Sequence, residues 1–234
     1  MKNVILCSNC NYENPFYALI CKNCKAFLRT KIPNIDLWIT IGKLIESPKL
    51  AFENIIHAEH KNYLLTLIFL SVTKISINLF TLNNIINFCE SSAYLKDILF
   101  ISLYAIMLFI IMTTLITLSN NFFKLKNRFK DNIAIYTFSF IPIIFSLMIL
   151  TPVEYAIFGN YWFTSNPSPL IIKKVPAYIL YFIEAIFILW SYLLFIISSF
   201  VQTRNLIYSI VIGTISFTTI TFLPIIIYCN KFFM

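Results

Sequence analysis

Residues 98–118 read ILFISLYAIMLFIIMTTLITL, a run without a single charged side chain. A helix crosses the hydrocarbon core of a bilayer with about 20 apolar residues, and this run has that length. Four more accompany it, at about 62–80, 133–151, 176–200 and 206–228, separated by polar connectors. Core helices of soluble domains carry a charged, solvated face; apart from Lys74 and Glu184, these runs carry none. The expected fold is an all-α membrane protein with five transmembrane helices.

Composition agrees. Hydrophobic residues make up 59% of the chain and charged residues 12%, against ~25% charged in an ordinary soluble domain. Aromatic residues reach 17%, with Phe and Tyr near span ends, where amphipathic rings favour the interface. With only three glycines, GxxxG packing is absent, so Ser, Thr and Ala must allow close helix approach. The wealth of Ile, Asn, Lys and Phe points to an AT-rich genome, by preference bacterial.

The net charge of +8 reads as topology rather than as a nucleic-acid surface. Lys2, Lys22, Lys25, Arg29, Lys31, Lys43, Lys49 and Lys61 precede the first span, and Lys124, Lys126, Arg128 and Lys130 fill the second connector. With Arg204 they put thirteen basic residues on one side; Lys96, Lys173, Lys174 and Lys231 put four on the other. The positive-inside rule predicts a cytoplasmic N-terminus and, after five spans, an exterior C-terminus, in a bacterial inner membrane. The opening apolar run, Val4 to Leu6, is too short for the h-region of a cleaved signal.

Cys7, Cys10, Cys21 and Cys24 form two CxxC pairs separated by ten residues. Two-residue spacers turn both sulfurs of a pair onto one point, the arrangement of a closed tetrahedral zinc site. Residues 1–30 are therefore read as a small zinc ribbon holding one structural Zn2+ per chain, the metal replacing a hydrophobic core. A redox dithiol, iron or a metal-free ribbon are the alternatives. Asn11 and Lys25 follow the second cysteine of each pair, where a left-handed conformation suits Asn better than Lys.

Residues 31–61 read as a linker followed by two amphipathic interfacial helices. Asp36 caps the first, with Leu37, Ile41, Leu44 and Ile45 recurring at helical spacing and Trp38 beside them. Ser47 and Pro48 restart the chain as N-cap and first helical residue, and Leu50, Ala51, Phe52, Ile55 and Ile56 form the second apolar face. Trp38, Pro48 and Phe52 are the expected interfacial anchors; the competing reading packs these helices on the bundle. His57 and His60 could share a helix face as ligands, but a solvated turn before the first span is the expectation.

Lys74 and Glu184 are ionisable groups at membrane depth, which are costly and mark candidate functional sites. Their depths are similar, so they could form an intramembrane ion pair; otherwise Lys74 snorkels outward. Pro142 and Pro152 kink or end the third span and Pro224 the fifth. The connector 152–175, with Trp162 and Asn166 to Pro169, is expected as a turn-rich exterior segment. Cys89 and Cys229 fall on that same side, where they could be oxidised.

Asp36-x-Trp38, then Ser47-Pro48 and Phe52, ahead of five spans whose third runs Tyr136 to Pro142 (YTFSFIP) and on to Pro152, resembles the Yip (Ypt/Rab-interacting) family of membrane proteins. The ribbon is similar to one fused to bacterial members. The resemblance covers about 36–228, the membrane domain itself being 62–228. It implies a non-enzymatic scaffold or adaptor that recruits a protein partner at its cytoplasmic ribbon, with no nucleic acid involved and an oligomer possible. A small-solute or ion transporter using Lys74 and Glu184 is the alternative. An intramembrane enzyme lacks its usual equipment, with no GxGD, HExxH, GxSxG or phosphate-binding loop in the chain.

Overall fold

The computed structural model describes residues 3–86 and 94–230. In chain order the elements are β1 (Val4–Leu6), β2 (Glu13–Pro15), β3 (Ile32–Asn34), α1 (Leu37–Glu46), α2 (Pro48–His57), β4 (Ala58–His60), α3 (Leu64–Ile86) and α4 (Tyr94–Phe122). Then follow α5 (Phe129–Ser139), α6 (Ile141–Phe145), a π-helical turn (Ser146–Leu150), α7 (Thr151–Phe158), α8 (Tyr161–Thr164), α9 (Pro169–Ile172), α10 (Lys174–Thr203) and α11 (Leu206–Asn230). Five segments are long and apolar enough to cross a membrane: Leu64–Ile86, Leu95–Phe122, Ile141–Phe158, Lys174–Thr203 and Leu206–Cys229. The protein is an integral multi-pass membrane protein. Leu65, Phe69, Leu103 and Phe182 are exposed on these helices, as side chains that meet lipid rather than water are.

The chain divides into two compact units, Met1–Leu64 with Thr113–Ser139 and Leu194–Thr214, and Leu65–Met112 with Phe140–Leu193 and Ile215–Met234. In the first, β1 and β2 pair antiparallel, while β3 and β4 pair parallel, Ile32 opposite Ala58 and Asn34 opposite His60. Part of the expected linker is therefore a strand. Asn62 closes the loop, its amide donating to Ile35 O at 2.9 Å and accepting from Ile35 N at 3.0 Å. Asp36 caps α1 by accepting from Ile39 N at 2.9 Å. Ser47 makes no side-chain cap; Pro48 alone starts α2, its missing N–H costing nothing there.

The two short helices differ in what they face. On α1, Trp38, Ile39 and Ile45 are exposed, Trp38 at 77%. On α2, Ala51, Phe52, Ile55 and Ile56 are buried, and the helix packs on α5. Phe52 has no exposed surface, so it cannot anchor the protein in an interface. An aromatic on an amphipathic face satisfies protein or lipid equally well, and here α2 packs against α1 and α5. Pro48 is half-buried, and among the three expected anchors Trp38 offers its ring outward.

Small residues let the helices of this unit approach. A Cβ at Gly213 would lie 3.1 Å from the Cα of Ile196, so α10 and α11 meet almost backbone to backbone. Ser199 and Tyr136 bond at 3.0 Å, and Thr203 and Ser209 at 2.8 Å, side-chain contacts that need no interhelical glycine pair.

The second unit contains the third candidate span. The helix breaks after α5 at Phe140, and Pro142 starts α6. The π-helical turn then adds one residue to the helical circuit before Pro152 restarts it as the second residue of α7. The connector expected at 152–175 is mostly folded: α7 continues the span to Phe158, and α8 and α9 are single helical turns. Asn166–Pro167 is cis. Trp162 is 3% exposed and stacks on Tyr181 at 4.5 Å, alongside Phe158, Ala177 and Leu180. It therefore belongs to the protein core rather than to an interface. Cys229 is disulfide-bonded; Cys89 lies outside the described residues.

Candidate functional site

Both CxxC turns fold as the metal geometry requires. The N–H of Asn11 donates to Cys7 O at 2.9 Å and that of Lys25 to Cys21 O at 3.1 Å. Asn11 and Lys25 take the left-handed conformation, φ 54° and 61°. That region costs an L-residue other than Gly or Asn roughly 1–2 kcal/mol, so Lys25 is the strained position. The four sulfurs lie within 4.8 Å of one another, Cys7 to Cys24 at 3.5 Å and Cys10 to Cys21 at 3.6 Å. They can hold a metal ion. Asn14, fully buried, locks the second turn: its Oδ1 accepts from Lys22 N at 2.9 Å and its Nδ2 reaches Cys21 Sγ at 3.5 Å. Burial alone would raise the Cys21 thiol, but N–H groups of Cys24 and Asn23 and the Asn14 amide outweigh it and bring the pKa to about 6. Cys24 is lowered as well, first by the N–H of Ala26. Cys10 is instead pushed up to about 11, the N–H of Tyr12 being outweighed by burial and by the sulfurs of Cys24 and Cys21, so the four thiols do not ionise alike.

The ribbon is seated within its unit rather than tethered by a loose linker. Asn3 donates to the carbonyls of Val201 and Gln202, at the end of α10. Gln202, itself buried, accepts from Asn120 and Asn127 at 3.5 and 3.4 Å. Arg128 lies over the Tyr17 ring at 4.2 Å and Arg204 over Phe16 at 5.3 Å. Arg29 donates to His57 O at 3.1 Å.

The His57 ring tilts against Phe16 at 4.8 Å and donates from Nε2 to Phe16 O at 3.2 Å. It is not the solvated turn residue expected from the sequence: burial, followed by the nearby Arg29 charge, pushes its pKa down to about 4. His60 is exposed, and among the described residues the cysteines form the only metal-capable group of three or more His, Cys, Asp or Glu. The two histidines are not brought together as ligands.

Lys61 is the second surprise. It is 5% exposed, bonds to the carbonyls of Ile55, Ile56 and Ala58, and pairs with Asp131 at 3.1 Å. The carbonyls of Ile55 and Ile56 lie in the last turn of α2, where a cation completes the helix. Burial lowers its pKa to about 8 against the pull of Asp131. Asp131 also receives Arg128 through two bonds, at 2.7 and 3.2 Å.

In the second unit, Lys74 is 1% exposed and does not snorkel. Its Nζ lies 3.4 Å from Glu184 Oε2, 3.6 Å from Glu154 Oε2 and 3.0 Å from Thr151 Oγ1. Glu184 in turn accepts from Asn78 and Ser146. Ser146 opens the π-helical turn and Thr151 follows it, and both hydroxyls reach the ionic cluster. Such turns are enriched at functional sites. Lys74 and Glu184 are brought together; Glu154 is the member the sequence reading missed. Pro152 read as the end of a span and put Glu154 outside, but the backbone before it is already helical at Leu150 and Thr151 and the helix runs on through it. The signal was there: no further turn residue intervenes before Gly159.

No family model, no curated protein and no solved structure matches the chain. What fold and site define together is a class: a multi-pass membrane protein with an N-terminal four-cysteine cluster and a buried Lys–Glu–Glu site in its spans.

Proposed function

We propose that this is a non-enzymatic membrane adaptor of the Yip-like kind, recruiting a cytoplasmic protein partner to a zinc ribbon that is seated within its own unit. The observation that carries this reading is the seating of the ribbon. One side is held by Asn3, Phe16, Tyr17 and Arg29, while Leu6, Tyr12, Ile20 and Phe27 remain exposed, Phe27 at 72%. Four exposed apolar side chains on a module too small for a core of its own fit a partner contact.

Zinc suits the donor set. A zinc–sulfur distance of about 2.3 Å in a tetrahedron puts sulfurs ~3.8 Å apart; two of the six separations here are 3.5 and 3.6 Å and none exceeds 4.8 Å. Four thiolates leave no open position, so the metal's role is to hold the fold, with Asn14 orienting Cys21. Orientation follows the basic residues, with the ribbon in the cytoplasm and the C-terminus outside. The four ribbon cysteines are free and Cys229 is bonded, which suits a reducing and an oxidising face respectively.

The test is affinity capture of the full-length protein from its own cells in mild detergent, beside the variant Leu6→Asp/Phe27→Asp. The reading expects a partner that the parent retains and the variant loses while its zinc content is unchanged. Identical captured sets from both proteins would overturn it.

A further inference from the structure

Within the second unit, a cavity of about 290 Å³ opens beside the buried ionic cluster. Its walls are hydrocarbon, from Ile75, Leu79, Leu82 and Ile143 among others, yet Glu154 and Glu184 both reach its surface. Lys74, their common partner, is not a lining residue. The cavity therefore sees the excess charge of the cluster: two carboxylates against one ammonium.

Three residues that line this cavity each carry a buried polar atom without a hydrogen-bond partner: Thr81 Oγ1, Glu154 Oε2 and Tyr181 Oη. Thr81 and Glu154 are 6% and 1% exposed. Buried polar atoms are nearly always paired, and orphans call for an unseen partner. Glu154 bonds to Trp162 and sits 3.6 Å from Lys74, but that second contact is too long for a hydrogen bond. Two unpaired hydroxyls, and a carboxylate oxygen held only by the longer Lys74 contact, thus belong to the walls of one cavity. A carboxylate oxygen can only accept, and the two hydroxyls can do so too. The volume is at the low end for small-molecule sites.

We propose that this cavity binds a small apolar amine in its ammonium form. The head donates to Glu154 Oε2, with Thr81 and Tyr181 as further acceptors, and neutralises the excess carboxylate charge. The hydrocarbon lies along Leu79, Leu82 and Ile143. An inorganic cation would leave those apolar walls without a partner, and a neutral lipid tail would leave the three oxygens without one. The indole of Trp162 also belongs to the cavity wall, stacked on Tyr181. This site is independent of the ribbon and of the adaptor reading.

The experiment uses full-length protein in lipid nanodiscs, with radiolabelled n-hexylamine and 1-hexanol as probes and empty nanodiscs as the baseline for partitioning. Saturable binding of hexylamine, at least tenfold tighter than hexanol, is expected, and Glu154→Gln should weaken it at least tenfold. Equal binding of amine and alcohol, or amine binding indifferent to Glu154→Gln, overturns the proposal. Leu82→Trp guards against misfolding of the charge variant. It fills the cavity from a residue that is 37% exposed and outside the ionic cluster, and it should abolish saturable binding. Unchanged binding in Leu82→Trp overturns the proposal as well.

Discussion

Lys61 Nζ lies 3.1 Å from Asp131 Oδ1, with the two side chains 5% and 2% exposed. The pair ties the end of α2 to the first turn of α5, and Arg128 completes it from the connector ahead of α5. A buried pair stabilises little against a well-packed apolar alternative, but losing one member strands the other, typically at 3–5 kcal/mol. Arg128 remains beside Asp131 after Lys61→Met, so the cost there should be about 2–3 kcal/mol. Asp131→Asn faces Lys61 and Arg128 with no anion and should be the more damaging change. Detergent thermal melts of the two variants check the order; an innocuous Asp131→Asn would contradict it.

The ribbon should carry one zinc per chain. Cys21→Ser with Cys24→Ser should release it and open roughly the first 30 residues to protease, because metal binding and folding are one event in such modules. The five apolar helices should remain. Metal analysis on reduced protein, followed by limited proteolysis, reads both outcomes.

His57 makes the first unit sensitive to acid. Its folded pKa, about 4, lies below its ordinary 6.5, so the unfolded chain binds the proton more readily. Stability is therefore complete above about pH 6.5 and falls as the pH drops towards 4. His57→Phe keeps an aromatic ring against Phe16 and removes the titration. Its melting temperature, compared with the parent at pH 7.5 and pH 5, should fall less. Parallel pH profiles would show that His57 does not titrate in this way.

In the spans, Lys74→Met should destabilise strongly, leaving Glu154 and Glu184 facing each other, at about 3–5 kcal/mol by analogy with soluble cores and less where water or lipid relaxes around them. Pairing it with Glu184→Leu should restore only part of the loss, because Glu154 stays 1% exposed and loses its cation. Adding Glu154→Leu should complete the rescue. Full recovery in the double variant would remove Glu154 from the cluster.

Orientation is checked by reporter fusions after Lys130 and after Lys231, which should read cytoplasmic and exterior respectively. Signals from one side only would exclude five crossings.

Some of this molecule was decided by composition and spacing. Five apolar runs near 20 residues must be helices in a bilayer, since a helix satisfies every backbone group within its own segment. Four cysteines at CxxC spacing converge because each turn is local, and Asp36 caps α1 through the N–H three residues on. These are short-range consequences, legible without a partner.

What only the tertiary structure decided is which neighbour each side chain meets. Phe52 and Trp162 are aromatic residues near apolar segments, suited alike to an interface or to a core; α1 and α5 pack against the helix of one and Tyr181 stacks on the other. Lys61 looked like one basic residue among many until Asp131, 70 positions away in the chain, came within 3.1 Å of it. Glu154 was hidden by Pro152, whose effect depends on whether the chain before it is already helical, and the π-helical turn makes it so. Charge at membrane depth announces itself in the sequence through its cost; the partner that relieves the cost is chosen by packing, which no local pattern encodes.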